Sequence, residues 1–273
     1  MMLEWKQLAA AALAAVLAAC QTVQTTQGGL VGIDRQQTMM SAVSEVQMEQ
    51  AARQEYGQLI AAERAKGRVD QNPALAARVK AVAERLVRQT PVFRPNAAQW
   101  QWEVHVLGSP EVNAWCMPGG KIAVYSGLIE KLNLSDDELA AVIGHEIAHA
   151  LREHARERAS EQALANLGIS LVSAAAGLGD LGQRGMEYAY MGLLGLPNSR
   201  LHETEADRIG VELAARAGFN PQAAVSLWQK MAGVGGSQPI KFLSTHPSQQ
   251  DRIADLRIYA ERVMPLYQQA PKK

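Results

Sequence analysis

The sequence has few cysteines and no excess charge of either sign, and each shortage excludes a class of protein. Two cysteines, Cys20 and Cys116, in 273 residues are too few for a fold held together by disulfides. Lys and Arg together number 27, as do Asp and Glu, so the charge balance does not favour nucleic acid or an acidic partner. Since 48% of the residues are hydrophobic, the chain can bury a sizeable core, and we expect a globular protein.

The sequence also lacks a hydrophobic run long enough to span a membrane. Residues 8–20, LAAAALAAVLAAC, and residues 163–179 both fall short of the roughly 20 apolar residues that such a helix needs. The first stretch has the length of the hydrophobic region of a secretory signal peptide and ends in small residues. We therefore predict a signal peptide over residues 1–19, and over 163–179 a buried helix rather than one that dips into a membrane.

The end of the signal peptide resembles the lipobox of bacterial lipoproteins, in which the leader is cut before a cysteine that is then acylated. The matching residues are Leu17, Ala18, Ala19 and Cys20. Acyl chains contribute about 0.8 kcal/mol per buried methylene, so several of them would anchor the chain stably. The resemblance implies lipidation at Cys20 and sorting to the periplasmic side of the outer membrane, and the alternative is ordinary signal cleavage nearby.

The rest of the chain is predicted to form one folded domain over residues 35–265. Residues 20–34 are mostly polar and contain glycine, which is typical of a tether, and residues 266–273 are expected to be a C-terminal tail. Apolar spacing predicts two helices between residues 36 and 89, and further helices at 199–217, 221–233 and 247–265.

One region changes from helical to alternating periodicity. The stretches 100–107 and 121–129 are rich in aromatic and β-branched residues and predict strands, with the turn MPGG before the second. Helical spacing resumes after NLSDDEL, where Ser135 and Glu138 have the spacing of a capping box. We therefore predict a mostly helical α+β fold with a small antiparallel sheet or hairpin beside this helix.

The helix that begins near Ser135 carries the sequence HEIAHALREH. His145 and His149 are four residues apart, so their imidazoles share one helix face and can reach a single ion. Glu146 lies about 100° round the helix, close enough to reach a water on that ion. This is the H-E-x-x-H arrangement of zinc hydrolases, although five residues alone also occur by chance.

A catalytic zinc site needs a third protein ligand. His154, five residues after His149, projects to a different face of a continuous helix, and we expect it to be solvated. The stretch SRLHETEADRIG, 199–210, offers Glu203 and Asp207 on one helix face, where one carboxylate can bind metal and the other can orient an imidazole. Glu205 is expected to lie on the wrong face to share that role.

Together these motifs resemble the M48 family of zinc endopeptidases. In that family H-E-x-x-H is followed some fifty residues later by an S-R-x-x-E-x-x-A-D run, which here begins at Ser199. The segment VNAWCMPGG, 112–120, resembles the family's N-A-x-x-x-P-G-G segment, and STHPSQQDRI, 244–253, resembles its T-H-P loop. The resemblance covers residues from about 40 to 260 and implies a zincin-like metalloprotease domain with one zinc ion per chain.

The resemblance also implies roles for individual residues. It assigns His145, His149 and Glu203 to zinc, Glu146 to the general base, and Asp207 to the orientation of a zinc ligand.

Two further segments of the resemblance bear on substrate binding. The strand with Asn113 and Ala114 would line the cleft and pair with an extended substrate backbone, as strand addition does elsewhere. His246, in the T-H-P loop, would either donate to the oxyanion or occupy the open zinc position in a resting state. A capping or packing role for His246 is the alternative.

The expected function is endopeptidase activity in which zinc and Glu146 activate a water molecule. By analogy, a lipid-anchored periplasmic member would degrade unfolded or misfolded envelope or outer-membrane proteins, with an envelope assembly partner recruiting them and residues 180–199 covering the site. The rival interpretations are a zinc-bearing chaperone-like or assembly lipoprotein, and a lipoprotein scaffold with a relic site. Neither would require Glu146.

Overall fold

The structure is a computed structural model that describes residues 20–175, 199–234, 240–246 and 251–271. Within these ranges the chain divides into two compact units. The smaller unit comprises residues 20–24, 35–48 and 155–175, and the larger comprises residues 25–34, 49–154 and the described residues from 199 onward.

The smaller unit contains a two-stranded hairpin and most of one long helix. Strands β1 (Cys20–Val23) and β2 (Gln37–Met40) pair antiparallel, with Cys20 opposite Met40. Within this unit, Arg35 donates to both carboxylate oxygens of the buried Glu157, at 2.6 and 3.0 Å.

Residues 20–34 differ from the predicted tether. Residues 20–23 are a strand, and Val31 and Ile33 belong to the hydrophobic core of the larger unit. The backbone N–H of Val31 also donates to the buried Glu212 carboxylate at 2.9 Å. Residues 31–33 of the predicted tether are therefore packed against the fold. At the other end, the last helix runs to Gln269, so the predicted tail from residue 266 begins later.

Helices form most of the larger unit, and one of them begins at the cap that the sequence predicts. Ser135 Oγ accepts from the Glu138 N–H at 3.2 Å and Glu138 Oε2 accepts from the Ser135 N–H at 2.9 Å, so the capping box is present. The helices are α1 (Glu45–Ala65), α2 (Pro73–Val87), α3 (Ser126–Leu132), α4 (Asp136–Leu151), α5 (His154–Ala175), α6 (Arg200–Arg216), α7 (Ala223–Val234), α8 (Lys241–Thr245) and α9 (Arg252–Gln269).

A three-stranded sheet lies in the larger unit. Its strands are β3 (Glu103–Leu107), β4 (Ala114–Met117) and β5 (Lys121–Tyr125), in the order β3-β5-β4. The predicted hairpin is present as the antiparallel pair β4–β5, but β3 runs parallel to β5, so the sheet is mixed rather than purely antiparallel. Alternating residues predict that strands form, whereas the direction of pairing depends on the path of residues 108–113 between them.

The crossing of α4 and α6 positions the functional residues. Both helices are buried on nearly all sides, and their backbones touch at Gly144 and Gly210. A Cβ on Gly210 would lie 2.8 Å from the His145 backbone nitrogen, and a Cβ on Gly144 would lie 2.9 Å from the Gly210 carbonyl oxygen. Only glycine at both positions allows this approach, which brings His145 to the face of α6 that carries Asp207.

The helix predicted over residues 163–179 is present as part of α5, but most of the side chains that the structure describes in α5 are not buried. Most residues between 161 and 170 are half-buried or exposed, and residues 176–179 of the predicted segment lie outside the described residues. Among the helices that the structure describes, none combines the length and the apolar character needed to cross a bilayer.

Candidate metal site

Four side chains from three separate segments converge in the larger unit. Helix α4 supplies His145 and His149, α6 supplies Glu203, and the residue after α8 supplies His246. All four are buried, and their candidate ligand atoms lie within 4.8 Å of one another. The spacing of the sequence motifs predicts the first three of these residues to meet, and they do.

The distances between these atoms match those of a tetrahedral zinc site. The Nε2 atoms of His145 and His149 are 3.0 Å apart, and the Glu203 carboxylate oxygens lie 3.5 and 3.4 Å from them, respectively. Ligand atoms bound to zinc at about 2.0–2.1 Å in a tetrahedron are about 3.3 Å from one another. Two imidazole nitrogens and one carboxylate oxygen are also the ligands of one class of catalytic zinc sites.

The hydrogen bond of His145 supports the same interpretation. Asp207 Oδ1 lies 2.9 Å from His145 Nδ1, and a carboxylate can only accept, so Nδ1 carries the proton. When Nε2 is deprotonated, as metal binding requires, its lone pair therefore faces Glu203 and His149. A cation among these atoms removes the repulsion between their lone pairs, so the residues present fit a zinc ion.

The buried histidines and carboxylates of the site shift one another's pKa values. Burial by itself lowers the pKa of His145. The Asp207 and Glu203 carboxylates have the larger, opposite effect and raise the pKa to about 9. Burial lowers the pKa of His149 well below its ordinary value, against the opposing bond to Glu203. Burial raises the pKa of Glu203, yet bonds from the three histidines lower it below its ordinary value. A bound cation would take the place of the proton that these carboxylates stabilise.

Glu146 lies beside the cluster without belonging to it. Its side chain is buried, and its Oε1 makes no hydrogen bond to any described residue. The Nε2 atom of His246 lies 3.4 Å from this oxygen. Burial raises the pKa of the Glu146 carboxyl, and His246 and His145 oppose that shift. An unsatisfied buried carboxylate at this position is ready to accept a proton from a water molecule.

His246 lies where a fourth ligand would lie. Its Nδ1 is 3.2 Å from His145 Nε2 and 2.9 Å from Glu203 Oε1. Its ring stacks on Phe242 with centroids 4.4 Å apart, and its backbone N–H donates to the Phe242 carbonyl at 2.9 Å. The turn after α8 therefore directs the imidazole into the cluster.

Arg252 is a residue of this site that the sequence did not identify. It donates from Nη1 to Glu203 Oε2 at 3.0 Å and from Nη2 to Asp207 Oδ1 at 2.7 Å, and its guanidinium covers the Trp228 ring at 3.3 Å. A buried cation thus holds the Glu203 and Asp207 carboxylates of α6. The signal was available, because Arg252 stands inside the segment STHPSQQDRI, but nothing in that segment showed which side chain turns inward.

The expectation for His154 is wrong, whereas Glu205 does lie, as expected, outside the candidate ligand cluster. Both are buried, at 1% and 2% exposure, and His154 Nδ1 lies 2.8 Å from His149 Nδ1. His154 Nε2 in turn lies 3.0 Å from Glu205 Oε2. Burial lowers the pKa of His154 to about 3, against the opposing bond to Glu205. Helix α6 is buried on nearly every face, so Glu205 is buried although it lies on the opposite side of the helix from Glu203.

Asn113 and Ala114 lie at the start of the edge strand of the sheet. Ala114 opens β4, which pairs with β5 on one side only among the described strands. The Asn113 side chain is occupied locally, donating to Glu111 Oε1 and accepting from the Ala114 N–H, both at 3.0 Å. Helix α4 packs against β4, which places this edge on the same side of the unit as the metal-binding helix.

Comparison with known proteins identifies the same family. The model of peptidase family M48 matches residues 73–260. The chain is 41% identical over 155 residues to the mitochondrial metalloendopeptidase OMA1 of Schizosaccharomyces pombe, covering 56% of this chain and 45% of that protein. It is 34% identical over 186 residues to human metalloendopeptidase OMA1, covering 63% and 34%.

A bacterial relative extends the match further along this chain. The beta-barrel assembly-enhancing protease of Yersinia pestis is 30% identical over 205 residues, covering 71% of this chain and 40% of that protein. The chain spans less than half the length of each of these three relatives. The four converging residues lie inside the range matched by the family model. The chain therefore belongs to peptidase family M48, a family of zinc-dependent metalloendopeptidases.

Proposed function

We propose that this chain is a zinc-dependent endopeptidase that hydrolyses internal peptide bonds. The observation that carries the proposal is the convergence of His145, His149 and Glu203 beside an unsatisfied Glu146 carboxylate. A zinc site that only supports the fold has no use for such a carboxylate, since burying a carboxylate oxygen without a hydrogen bond costs stability.

The side chains divide the chemistry among them. Bound zinc supplies Lewis acidity, which acidifies water and polarises a carbonyl oxygen. His145, His149 and Glu203 hold the ion, and Asp207 holds the His145 ring in place. Glu146 takes a proton from the attacking water and returns it to the leaving amine, which suits a carboxyl whose pKa burial raises.

His246 has two candidate roles, and its position favours one of them. Its Nδ1 points to His145 Nε2 and Glu203 Oε1, as expected for a group that fills the fourth position while no substrate is bound. Substrate would then have to displace the imidazole. The other role, donation to the oxyanion, would require His246 to turn toward a substrate carbonyl.

An extended polypeptide is the substrate class that the edge strand suits. Strand β4 begins at Ala114 next to Asn113, and an edge strand offers backbone groups to a substrate strand. Unfolded or misfolded proteins expose such segments. A lipid-anchored chain would meet misfolded or outer-membrane proteins in the bacterial envelope, where an assembly partner could present them.

The residues of the leader, rather than the names of the relatives, favour the envelope over the mitochondrion. One relative is named a beta-barrel assembly-enhancing protease, while others are named mitochondrial. Mitochondrial transit peptides are rich in arginine and poor in acidic residues, whereas residues 1–19 contain Glu4 and no arginine. The lipobox resemblance ending at Cys20 supports a lipid anchor, and by the same argument the periplasmic side of the outer membrane.

Activity is tested with casein as an unstructured substrate. The purified chain should cleave casein, and a zinc chelator should stop the cleavage. Glu146→Gln should abolish cleavage and keep zinc bound, whereas Glu130→Gln, an exposed carboxylate on α3, should behave as wild type. Normal cleavage by Glu146→Gln would rule out the mechanism, and zinc binding without cleavage by wild type would favour the chaperone-like alternative.

The anchor is tested separately in bacteria fed a labelled fatty acid. Wild type and Cys116→Ser should carry the label and sediment with membranes, and Cys20→Ser should do neither. Label on Cys20→Ser would reject this lipidation site.

A further inference from the structure

His149 has a second ring nitrogen, which points away from the candidate ligand cluster into a buried row of polar side chains. His149 Nδ1 lies 2.8 Å from His154 Nδ1, and His154 Nε2 lies 3.0 Å from Glu205 Oε2. Each of these three side chains is less than a tenth exposed. The row connects a candidate zinc ligand on α4 to the side of α6 opposite Glu203.

Glu205 is held from its other side by Arg152. The guanidinium donates from Nε to Oε2 and from Nη2 to Oε1, both at 3.1 Å, and the Arg152 side chain is fully buried. Such a two-point ion pair fixes the plane of the carboxylate. An ionised carboxylate can only accept, so the proton in the bond to Glu205 belongs to His154 Nε2.

The position of this proton determines where the other protons of the row lie. A neutral imidazole has one donor nitrogen and one acceptor nitrogen, so His154 accepts at Nδ1 when it donates at Nε2. The bond between the two rings must then be donated by His149 Nδ1. This leaves His149 Nε2 with a lone pair, 3.0 Å from His145 Nε2 and 3.4 Å from Glu203 Oε1.

The turn between α4 and α5 makes this contact possible. In a continuous helix, residues five apart point about 140° away from each other. Here α4 ends at Leu151, and Glu153 adopts φ 51°, which turns the chain back. Arg94 secures the turn by donating to the Leu151 carbonyl at 3.0 Å and pairing with Glu153 at 2.6 Å.

We propose that His154 and Glu205 are positioning residues for His149, fixing the tautomer and ring orientation with which it binds zinc. Asp207 does the same for His145 through one bond, and the row does it for His149 through two. The inference rests on the zinc site of the proposed function and not on the substrate. Groups that orient metal-bound imidazoles commonly contribute 10–100-fold, as an order of magnitude, to metal affinity.

A role in packing alone is the competing explanation. The His154 ring stacks on His202, with centroids 4.2 Å apart and planes 17° from parallel. Two substitutions separate packing from hydrogen bonding. His154→Phe keeps a ring for the stack and removes both nitrogens. His154→Asn removes the ring but keeps an acceptor near the position of Nδ1.

The experiment measures zinc affinity by competition with a chelating dye, together with the visible spectrum of the cobalt-substituted full chain. We expect His154→Phe to weaken zinc binding roughly 10–100-fold and to alter the cobalt bands, and His154→Asn to stay closer to wild type on both. Glu138→Gln serves as the control, because it removes a buried carboxylate at the far end of α4. That variant should bind zinc and cobalt as wild type does.

The opposite order would overturn the proposal. If the role of His154 is ring packing rather than hydrogen bonding, His154→Asn weakens zinc binding more than His154→Phe does. Either variant is informative alone: wild-type affinity in a folded His154→Phe contradicts the proposal, and so does a His154→Asn as impaired as removal of a ligand. Failure of wild type itself to bind zinc would instead reject the site on which the proposed function depends.

Discussion

Arg252 shows how much of the site's stability depends on a single buried cation. Its guanidinium bridges Glu203 and Asp207 at 3.0 and 2.7 Å while covering Trp228. Both carboxylates are buried, so the free energy of the folded state depends on a positive charge beside them. Replacing Arg252 removes a positive charge that lies beside both carboxylates, and a bound metal ion would restore one.

We therefore expect Arg252→Met to lower the free energy of unfolding of the metal-free chain by about 3–5 kcal/mol, as removal of one partner of a buried pair does. Arg208→Met is the matched control. Arg208 lies on the same helix as both carboxylates and pairs with Asp255, but this pair is more than a quarter exposed, so about 0–1 kcal/mol should be lost. Urea unfolding of the two variants measures the difference, and equal losses would contradict this account of Arg252.

His246 gives the second expectation at the scale of the residue. If its imidazole fills the fourth position at rest, His246→Ala removes a group that substrate must displace, and kcat/KM for casein should be maintained or rise. If it donates to the oxyanion, kcat/KM should fall about 10²–10³-fold. We expect the first outcome, because Nδ1 already lies 2.9 Å from Glu203. A fall of that size, with zinc still bound, would assign the oxyanion role.

Residue identities could be predicted where a short periodic motif carries them. His145, His149, Glu203 and Asp207 follow from spacings of four on helices, and the structure brings them together. His154 could not be predicted, because its contact with His149 depends on a break in the helix after Leu151.

At the scale of the element, the contact between α4 and α6 sets the geometry of the site. The two backbones meet at Gly144 and Gly210, one residue before His145 and three after Asp207. A methyl group in this contact would push the helices apart and separate the imidazoles from the carboxylates. The glycines therefore act on zinc affinity through the distance between two helices.

We expect Gly210→Ala to destabilise the chain by about 1–3 kcal/mol, because its Cβ would lie 2.8 Å from the His145 backbone nitrogen. Gly57→Ala is the control within helix α1, where nothing lies within 4 Å of the added Cβ. That substitution should stabilise by about 0.5–1 kcal/mol through helix propensity. Thermal unfolding should show a lower melting temperature for Gly210→Ala and a higher one for Gly57→Ala. An unchanged melting temperature in Gly210→Ala would contradict the close contact between α4 and α6.

The cap of α4 has a pH dependence whose sign follows from its bonds. Burial raises the pKa of Glu138, but bonds from Lys230, the Ser135 N–H and Ser226 outweigh it and hold the pKa below its ordinary 4.5. The contribution of the ionised Glu138 is therefore complete above that value and is lost as the pH falls through the lower folded-state pKa.

Urea unfolding should show Glu138→Gln less stable than wild type at about pH 7, with the gap narrowing at about pH 3. A gap that widens on acidification would contradict the direction of the shift.

Most element types were predictable from periodicity, although residues 126–129 of the predicted strand are helical, whereas element pairing was not predictable. The capping box at Ser135 and the hairpin of β4 and β5 are local patterns, and both are present. The parallel partner β3 and the burial of Val31 and Ile33 depend on contacts distant in the sequence. No local pattern carries that information.

At the scale of the whole molecule, one ion would join segments far apart in the chain. The candidate ligands come from α4, from α6 and from the residue after α8, so an ion bound by all four of them would couple the three segments. Anything that binds the folded chain alone stabilises it, by about 2.7 kcal/mol when the free ligand is at one hundred times its dissociation constant. Zinc should therefore contribute both to activity and to stability.

The most direct test is the zinc content of the purified chain, measured by mass spectrometry beside its rate of casein cleavage. The account predicts one zinc per wild-type chain, and loss of both the metal and the cleavage in Glu203→Ala. A wild-type chain that cleaves casein without zinc, or a Glu203→Ala variant that keeps both zinc and activity, would contradict it.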